Sequence, residues 1–453
     1  MKILSIESSC DDSAIALMDS QSCELLWQGK ISQESSHKLH GGVVPELASR
    51  LFARDLPTLL GEFKAKFGFP CVGAVAVTYE PGLSTSLLEG VMMGKALALS
   101  LKVPLIPINH LKGHVFSLFI NQDSMAQSAC FPLSVLLVSG GHSLILECKS
   151  YQNMQIVGNS LDDSFGECYD KAAKMLSLGY PGGLIIDTLA SFCKDILDGK
   201  IIESRLDSKL LQSYVEQTKL PIPLQKDKTM NFSFSGLKNA FRLKLYENEE
   251  LLKLIDLSNK IQGSLKQDSN NFMESFIESK VQDSKVQDSI NANLDSIIQK
   301  IKNNPYTLAL CYNLQHSATE HIIKKCRIYL RNLKDSKNNI ESKRVDSKKA
   351  NFIESKNTDY ITFKEKSSKF KHFAIVGGAS ANSMLRAKMQ DLCDEFSQTL
   401  LTTKLEFCSD NAAMIARAAV AKIKENPSKF LQKDSINILD LDVHPRNIEI
   451  NKI

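Results

Sequence analysis

The chain has 453 residues, with 55 Lys and Arg against 51 Asp and Glu, a formal net charge of +4, and 43% hydrophobic residues. That is long enough to bury two cores, and the composition is that of a globular protein rather than a disordered or collagen-like one. The small net charge singles out no partner. Eleven cysteines, scattered from Cys10 to Cys408 without a CxxC pair, argue against a disulfide framework or a zinc knuckle and suit a reducing compartment. Glu7, Asp11 and Asp12 interrupt any signal-peptide core. No apolar run approaches the roughly 18 residues needed to cross a bilayer, so the reading is a soluble, cytoplasmic protein without a membrane anchor.

Three strand-like runs open the chain, Lys2–Glu7, Ala14–Asp19 and Glu24–Gly29. The polar turn Ser8–Ser13 separates the first two, and the short connections predict an antiparallel meander. Helical periodicity over Pro45–Lys66 is followed by a strand at Ala74–Thr78, a turn at Glu80–Leu83 and a helix at Ser84–Leu101. Val103–Ile108 reads as a strand, and His110 opens a further helix. A second cycle begins with the apolar strand Leu133–Val138, which ends in Ser139-Gly140-Gly141-His142-Ser143 and turns straight into Leu144–Cys148. A strand at Phe373–Val376 then runs into Gly377-Gly378-Ala379-Ser380-Ala381-Asn382 and a helix. Two meander-plus-helix cycles predict an α/β protein of two similar lobes with a cleft between them. The expected division is an N-terminal lobe of 1–118 together with a C-terminal helix of about 425–453, and a C-terminal lobe of 119–424.

Two polar stretches break this pattern. One, 247–304, carries the repeat Val281–Lys285 and Val286–Ser289. The other, 334–371, repeats Ile-Glu-Ser-Lys at Ile340 and Ile353 and holds more Lys and Arg than Asp and Glu. Both read as low-complexity insertions too polar to build a core. Leu308–Leu333 between them keeps an amphipathic helical pattern.

His110-Leu111-Lys112-Gly113-His114 places two histidines at i and i+4 on one helix face, about 5–6 Å apart at Cβ, close enough to share a metal ion. Such pairs are common by chance. A helical zinc protease needs Glu directly after the first His as its base, and Leu111 stands there. Two histidines call for a carboxylate as third ligand, and Asp410 in Cys408-Ser409-Asp410-Asn411 is the best candidate. Its alternative role is as N-cap of the helix Ala412–Ile423, and spacing does not separate the two. The glycine turns Ser139–Gly141, Gly182–Gly183 and Gly377–Gly378 are either ordinary turns or loops whose backbone N–H groups approach phosphate oxygens. Asp11 in the first hairpin turn reads as a base or as an Asx-turn residue. Asp170, near Asp162 and Asp163, reads as a ribose or amino-acid contact or as a helix cap.

In this order the motifs resemble the TsaD family, the tRNA N6-adenosine threonylcarbamoyltransferases, within the superfamily of actin, hexokinase and the heat-shock chaperone ATPases. The matching stretches are Ile6–Asp11, Gly41–Arg50, Pro81–Leu83, His110–His114, Leu136–His142, Tyr169–Lys171, Tyr180–Gly183, Phe232–Lys238, Gly377–Asn382 and Cys408–Asn411. The resemblance implies two actin-like, ribonuclease H-like lobes and one Fe2+ or Zn2+ ion on His110, His114 and Asp410. It implies that Leu137, Val138, Ser139, Gly140, Gly141, Asp170, Gly183, Asp187 and Asn382 bind threonylcarbamoyl-AMP, the form in which an adenine nucleotide enters. Asp11 then takes the proton as the group passes to N6 of adenosine 37 in tRNAs reading ANN codons. The implied partners are tRNA, TsaB-like and TsaE-like proteins, and a separate synthase that supplies the adenylate. The chain departs from the family pattern at Asp12 (usually Glu), Ser13 (commonly Gly), Phe52 (often His) and Glu80 (typically Gly). The remaining alternatives are a small-molecule kinase of the same fold, a metallopeptidase, which Leu111 disfavours, and a non-catalytic relative of TsaB.

Overall fold

The structure, a computed structural model, describes residues 1–38, 42–201, 206–275, 284–347, 370–431, 438–447 and 450–452. Strands β1 (Lys2–Glu7), β2 (Asp12–Asp19) and β3 (Leu25–Ser32) form the antiparallel meander, and β4 (Val72–Glu80) and β5 (Leu105–Asn109) join it in parallel. The sheet order is β3-β2-β1-β4-β5. Helix α1 (Pro45–Phe67), with Pro at its first position where the missing N–H costs nothing, covers one face together with α2 (Ser84–Leu101).

The second sheet repeats that plan. Strands β6 (Leu133–Val138), β7 (Ser143–Cys148) and β8 (Met154–Asn159) form an antiparallel meander, and β9 (His372–Val376) and β10 (Thr399–Thr402) lie parallel beside β6. The order β8-β7-β6-β9-β10 matches the first sheet strand for strand, with the short β11 (Asn451–Lys452) added against β8. This duplication is the two-lobed, actin-like α/β fold expected from the sequence.

The layer between the sheets consists of α3 (His110–Phe116) and, far along the chain, the helix Ala412–Glu425. One continuous core takes Ile3, Ala76 and Ile106 from the first sheet, Leu137, Leu146 and Val376 from the second, and Leu111, Val115, Ala412 and Ala416 from the two helices. Every residue of the later helix from Ala412 to Ile423 is buried, including Arg417, which donates to Phe119 O, and Lys422, which donates to Pro107 O. Its alanines and Gly113 permit a close crossing: a Cβ on Gly113 would sit 2.8 Å from Ile415 Cδ1. Ser5 Oγ of β1 donates to Ala412 O at 2.7 Å, tying the start of that helix to the first sheet.

The polar stretch 247–304 departs from expectation. Its described residues form a helical hairpin of Glu249–Ser275 and Ser284–Lys302, and Leu251, Ile255, Ile297 and Ile301 are buried in the core of the second lobe. Apolar residues spaced a helical turn apart at the open end of the hairpin were enough to bind it, although mean polarity is high. The first copy of the Val-Gln-Asp-Ser repeat lies largely outside the described residues. The amphipathic helix expected at 308–333 spans Pro305–Ser347, so it runs into the second polar stretch, of which 348–369 lie outside the described residues. Beyond Glu425 the described chain forms a short helix, Pro427–Leu431, and a turn at Ile438–Asp440. It packs Leu441 and Val443 on the first lobe and ends on β8 of the second.

Replacing Leu251 or Ile301 by Ala should each lower unfolding stability by about 2–5 kcal/mol, read as a fall in the urea midpoint at constant m-value. An unchanged midpoint in both variants would mean that the hairpin is not part of the core.

Candidate metal centre

The site is assembled at the carboxyl ends of the central strands, where open α/β sheets place their ligands. β1 leads into Ser8–Asp11, β5 into His110, β6 into Ser139–Gly141 and β9 into Gly377–Asn382. Asn109 caps α3 by accepting from Lys112 N, so the helix begins at the first histidine.

His110, His114 and Asp410 meet, with one ligand atom from each lying within 4.8 Å of the others. Asp410 Oδ1 is 3.5 Å from His110 Nε2 and 3.2 Å from His114 Nε2. The N-cap alternative for Asp410 falls away, because Asn411 caps the helix by accepting from Met414 N at 2.9 Å. Asn411 also donates to Ser409 O and Phe407 O, which shapes the loop and leaves the Asp410 carboxylate free to face the histidines. His110 Nδ1 lies 3.2 Å from Glu7 Oε2 and 3.1 Å from Ser9 Oγ. Glu7 is itself anchored by Ser9 N at 2.7 Å and Thr78 Oγ1 at 2.6 Å. A carboxylate behind one ring nitrogen fixes the Nδ1–H tautomer and turns the Nε2 lone pair into the site. His114 is fully buried: its Nε2 faces the Asp410 carboxylate at 3.2 Å, and its Nδ1 has no hydrogen-bond partner among the described residues. Buried polar atoms are rarely left so. Two imidazole nitrogens and a carboxylate oxygen facing one point fit a divalent cation with positions left over for substrate.

The surroundings are acidic and largely buried. Burial pushes the Asp11 carboxyl up, the negative charge of Asp410 adds to this, and the Tyr180 hydroxyl, donating to Asp11 Oδ2 at 3.0 Å, works against it. Burial raises Asp12 to about 6 in spite of Lys30, and Asp170 to about 6 in spite of the Gly182 N–H it accepts at 2.7 Å. For His110, burial opposes the charge, but Glu7 and Asp410 outweigh it and raise the imidazole to about 9. Burial and the two neighbouring histidines lower His142 to about 4.

The expected adenylate-binding residues fall into two groups beside this centre. Leu137 and Val138 bury their side chains in β6, so only their main chain is available to a ligand. Gly377 has φ +92°, and a Cβ there would lie 2.3 Å from Val138 O, so only glycine lets the β9 loop stack on the end of β6. Gly140, Gly141 and Gly183 present open faces on which a side chain would meet nothing within 4 Å. Asp187 accepts from Gln315 Nε2 at 2.8 Å and Asn382 Nδ2 at 3.2 Å, and Asn382 also donates to Gln315 Oε1 at 3.0 Å. Sequence reasoning overlooked Gln315, which sits mid-helix with no local motif to mark it. It also overlooked Tyr180 as the partner of Asp11. Asp162 and Asp163 take no place in this group. Asp162 caps the helix Ser235–Tyr246 through Phe234 N, Ser235 N and two serine hydroxyls, and Asp163 pairs with Lys171 and Lys238. The departure at Glu80 puts a buried carboxylate on Asn109 Nδ2 at 2.8 Å, directly before the first histidine.

The sequence model of the family described as "TsaD: tRNA N6-adenosine threonylcarbamoyltransferase" matches residues 24–417. A curated tRNA N6-adenosine threonylcarbamoyltransferase from Wolinella succinogenes is 41% identical over 92% of this chain and 92% of its own length. One from Campylobacter curvus is 39% identical over 98% of this chain and 99% of its own. Relatives of matching length therefore extend across both polar stretches. Among solved structures, full-length HypF in the phosphate- and nucleotide-bound form aligns with 94% of this chain and 56% of that one, at 12% identity and a TM-score of 0.36.

With His110 raised from about 6.5 to about 9, the metal-free ring carries a proton at neutral pH that an ion on Nε2 must displace. Affinity for Zn2+ should rise with pH until about 9, with close to one proton released per ion between those limits. Calorimetry in buffers of different ionisation enthalpy measures that proton. In the metal-free protein the stabilisation from this raised value is fully present below about pH 6.5 and is lost as pH rises through about 9.

Proposed function

The chain belongs to the TsaD family of tRNA N6-adenosine threonylcarbamoyltransferases, and from that premise we propose how its residues divide the work. The protein is an acyltransferase that acts on tRNA and forms N6-threonylcarbamoyladenosine. The finer reading is that threonylcarbamoyl-AMP is the donor and adenosine 37 of tRNAs reading ANN codons the acceptor. The observation that carries it is the meeting of two imidazoles and a carboxylate beside the open glycine turns at Gly140–Gly141 and Gly183, with Asp11 at the margin.

His110, His114 and Asp410 would hold the ion, Fe2+ or Zn2+, which when bound supplies a Lewis acid for the carbamoyl oxygen. The main-chain N–H groups of Ser139–Gly141 and Gly183 would cradle the adenylate phosphate, so that AMP departs as a stabilised anion. Asp187, Asn382 and Gln315 form one hydrogen-bonded group suited to the nucleoside hydroxyls, and Asp170 steadies the Gly182–Gly183 turn. As the N6 nitrogen bonds to the carbamoyl carbon, the bond from that carbon to the phosphate oxygen breaks and the amine proton passes to Asp11. Its burial, with the negative charge of Asp410 beside it, raises its affinity for that proton. No Ser or Cys nucleophile is needed, because the acyl group arrives activated. The metallopeptidase and kinase alternatives are not favoured: a peptidase lacks its base at Leu111, and a kinase has no use for a His-His-Asp cluster.

TsaB-like and TsaE-like proteins are the proposed partners, and Leu88, Met92 and Leu99, exposed along α2, offer an apolar face to one of them. The cytoplasm is the proposed compartment. Among the described residues no helix is long and apolar enough to cross a membrane.

The test is reconstitution with partner proteins, threonine, bicarbonate, ATP and unmodified tRNA, read by nucleoside mass spectrometry. His110→Ala should lose both bound metal and transfer, whereas Asp11→Asn should keep the metal and lose on the order of 10²–10⁴-fold in kcat. Full transfer by metal-free His110→Ala would refute the scheme.

A further inference from the structure

The loop that carries Asp410 is held from outside by one cation. Lys30 projects from β3, opposite Ala14 of β2. Its ammonium lies 2.7 Å from Asp12 Oδ2, donates to Asp410 O at 2.9 Å and donates to Ser409 Oγ at 3.2 Å. An ammonium has three protons to donate, and here each has an acceptor. Those acceptors come from both ends of the chain: Asp12 belongs to the first hairpin and Ser409–Asp410 to the ligand loop. Asn411 shapes the same loop from inside through Phe407 O and Ser409 O but does not reach the carbonyl of Asp410.

We infer that Lys30 is a positioning residue, whose ammonium pins the main chain of Asp410 so that the carboxylate faces both histidines, and so sets the affinity of the site for a divalent cation. The inference rests on the metal-centre reading above. Two effects of Lys30 oppose each other. As a nearby positive charge it weakens binding of another cation, whereas as an anchor it keeps the third ligand in place. Partners that orient ligands without touching the metal are typically worth 10–100-fold in affinity. The ammonium is partly open to water, with 26% of the side chain exposed, so its direct repulsion of the ion is screened. Orientation therefore outweighs repulsion.

The sign of the change separates the two effects, and Zn2+ affinity measured by competition with a chromophoric chelator reads it. Lys30→Met should bind Zn2+ about 10–100-fold more weakly with circular dichroism like wild type, and Lys30→Arg, which keeps the donors, should recover most of the loss. Should Lys30→Met fail to fold, Lys30→Gln, shorter and uncharged, carries the same expectation. Affinity equal to or tighter than wild type in the folded variant would overturn the inference while leaving the metal centre standing. A lowered melting temperature with unchanged affinity would overturn it too, since that is what a merely structural contact gives. If wild type binds Zn2+ no better than His110→Ala, the metal-centre reading fails and takes the role of Lys30 with it.

Discussion

The close crossing of α3 against the helix Ala412–Glu425 is the constraint on which the site depends. A side chain at Gly113 would press on Ile415 Cδ1, and the alanines of the later helix keep its surface low in the layer between the sheets. Because the pair is buried between two rigid layers, neither helix can slide without opening the core. The histidines ride on the first turns of one helix, and Asp410 lies two residues ahead of the other. Helix packing thus does what a flexible loop could not do at this precision: it brings residues three hundred positions apart within reach of one ion.

A second consequence is electrostatic. The first strand and its turn bring Glu7, Asp11 and Asp12, and the loop ahead of the later helix brings Asp410, to one largely buried region, where burial disfavours their charged forms. Glu7 keeps its charge by pairing with His110, and Asp12 is paired with Lys30. Asp11 has no cation paired directly with it among the described residues and accepts from the Tyr180 hydroxyl, which comes from the opposite lobe. A protonatable carboxylate and a buried His114 imidazole facing Asp410 are what remain, and these are the features that the proposed transfer chemistry uses.

Most strands and the helices of the first lobe were legible because each has a clean period, whereas β8, β10 and the helices Phe165–Met175, Gly182–Leu197, Ser208–Gln217 and Ser235–Tyr246 were not read. Alternation and short polar turns marked the two meanders, and a helical period marked Ser84–Leu101 to the residue. The stretch 247–304 was misjudged, since average polarity conceals four apolar residues set one helical turn apart. The histidine pair was visible as spacing alone. The choice between ligand and helix cap for Asp410 was not visible, because Asn411 can cap equally well and only the built loop shows which residue does so.

By itself the sequence determined the element order, the duplicated α/β plan, the family, and the residue types able to carry a metal, since these follow from local periodicity and from motifs read in register. Tertiary structure alone decided which of those residues meet. Asp410 joins His110 and His114, Gln315 joins Asp187 to Asn382, Tyr180 reaches Asp11, and Lys30 grips the ligand loop. The physical reason is that every one of these contacts spans at least 67 residues, far beyond a helical turn or a hairpin, so no local pattern encodes it. The packing of two sheets around a shared pair of helices does.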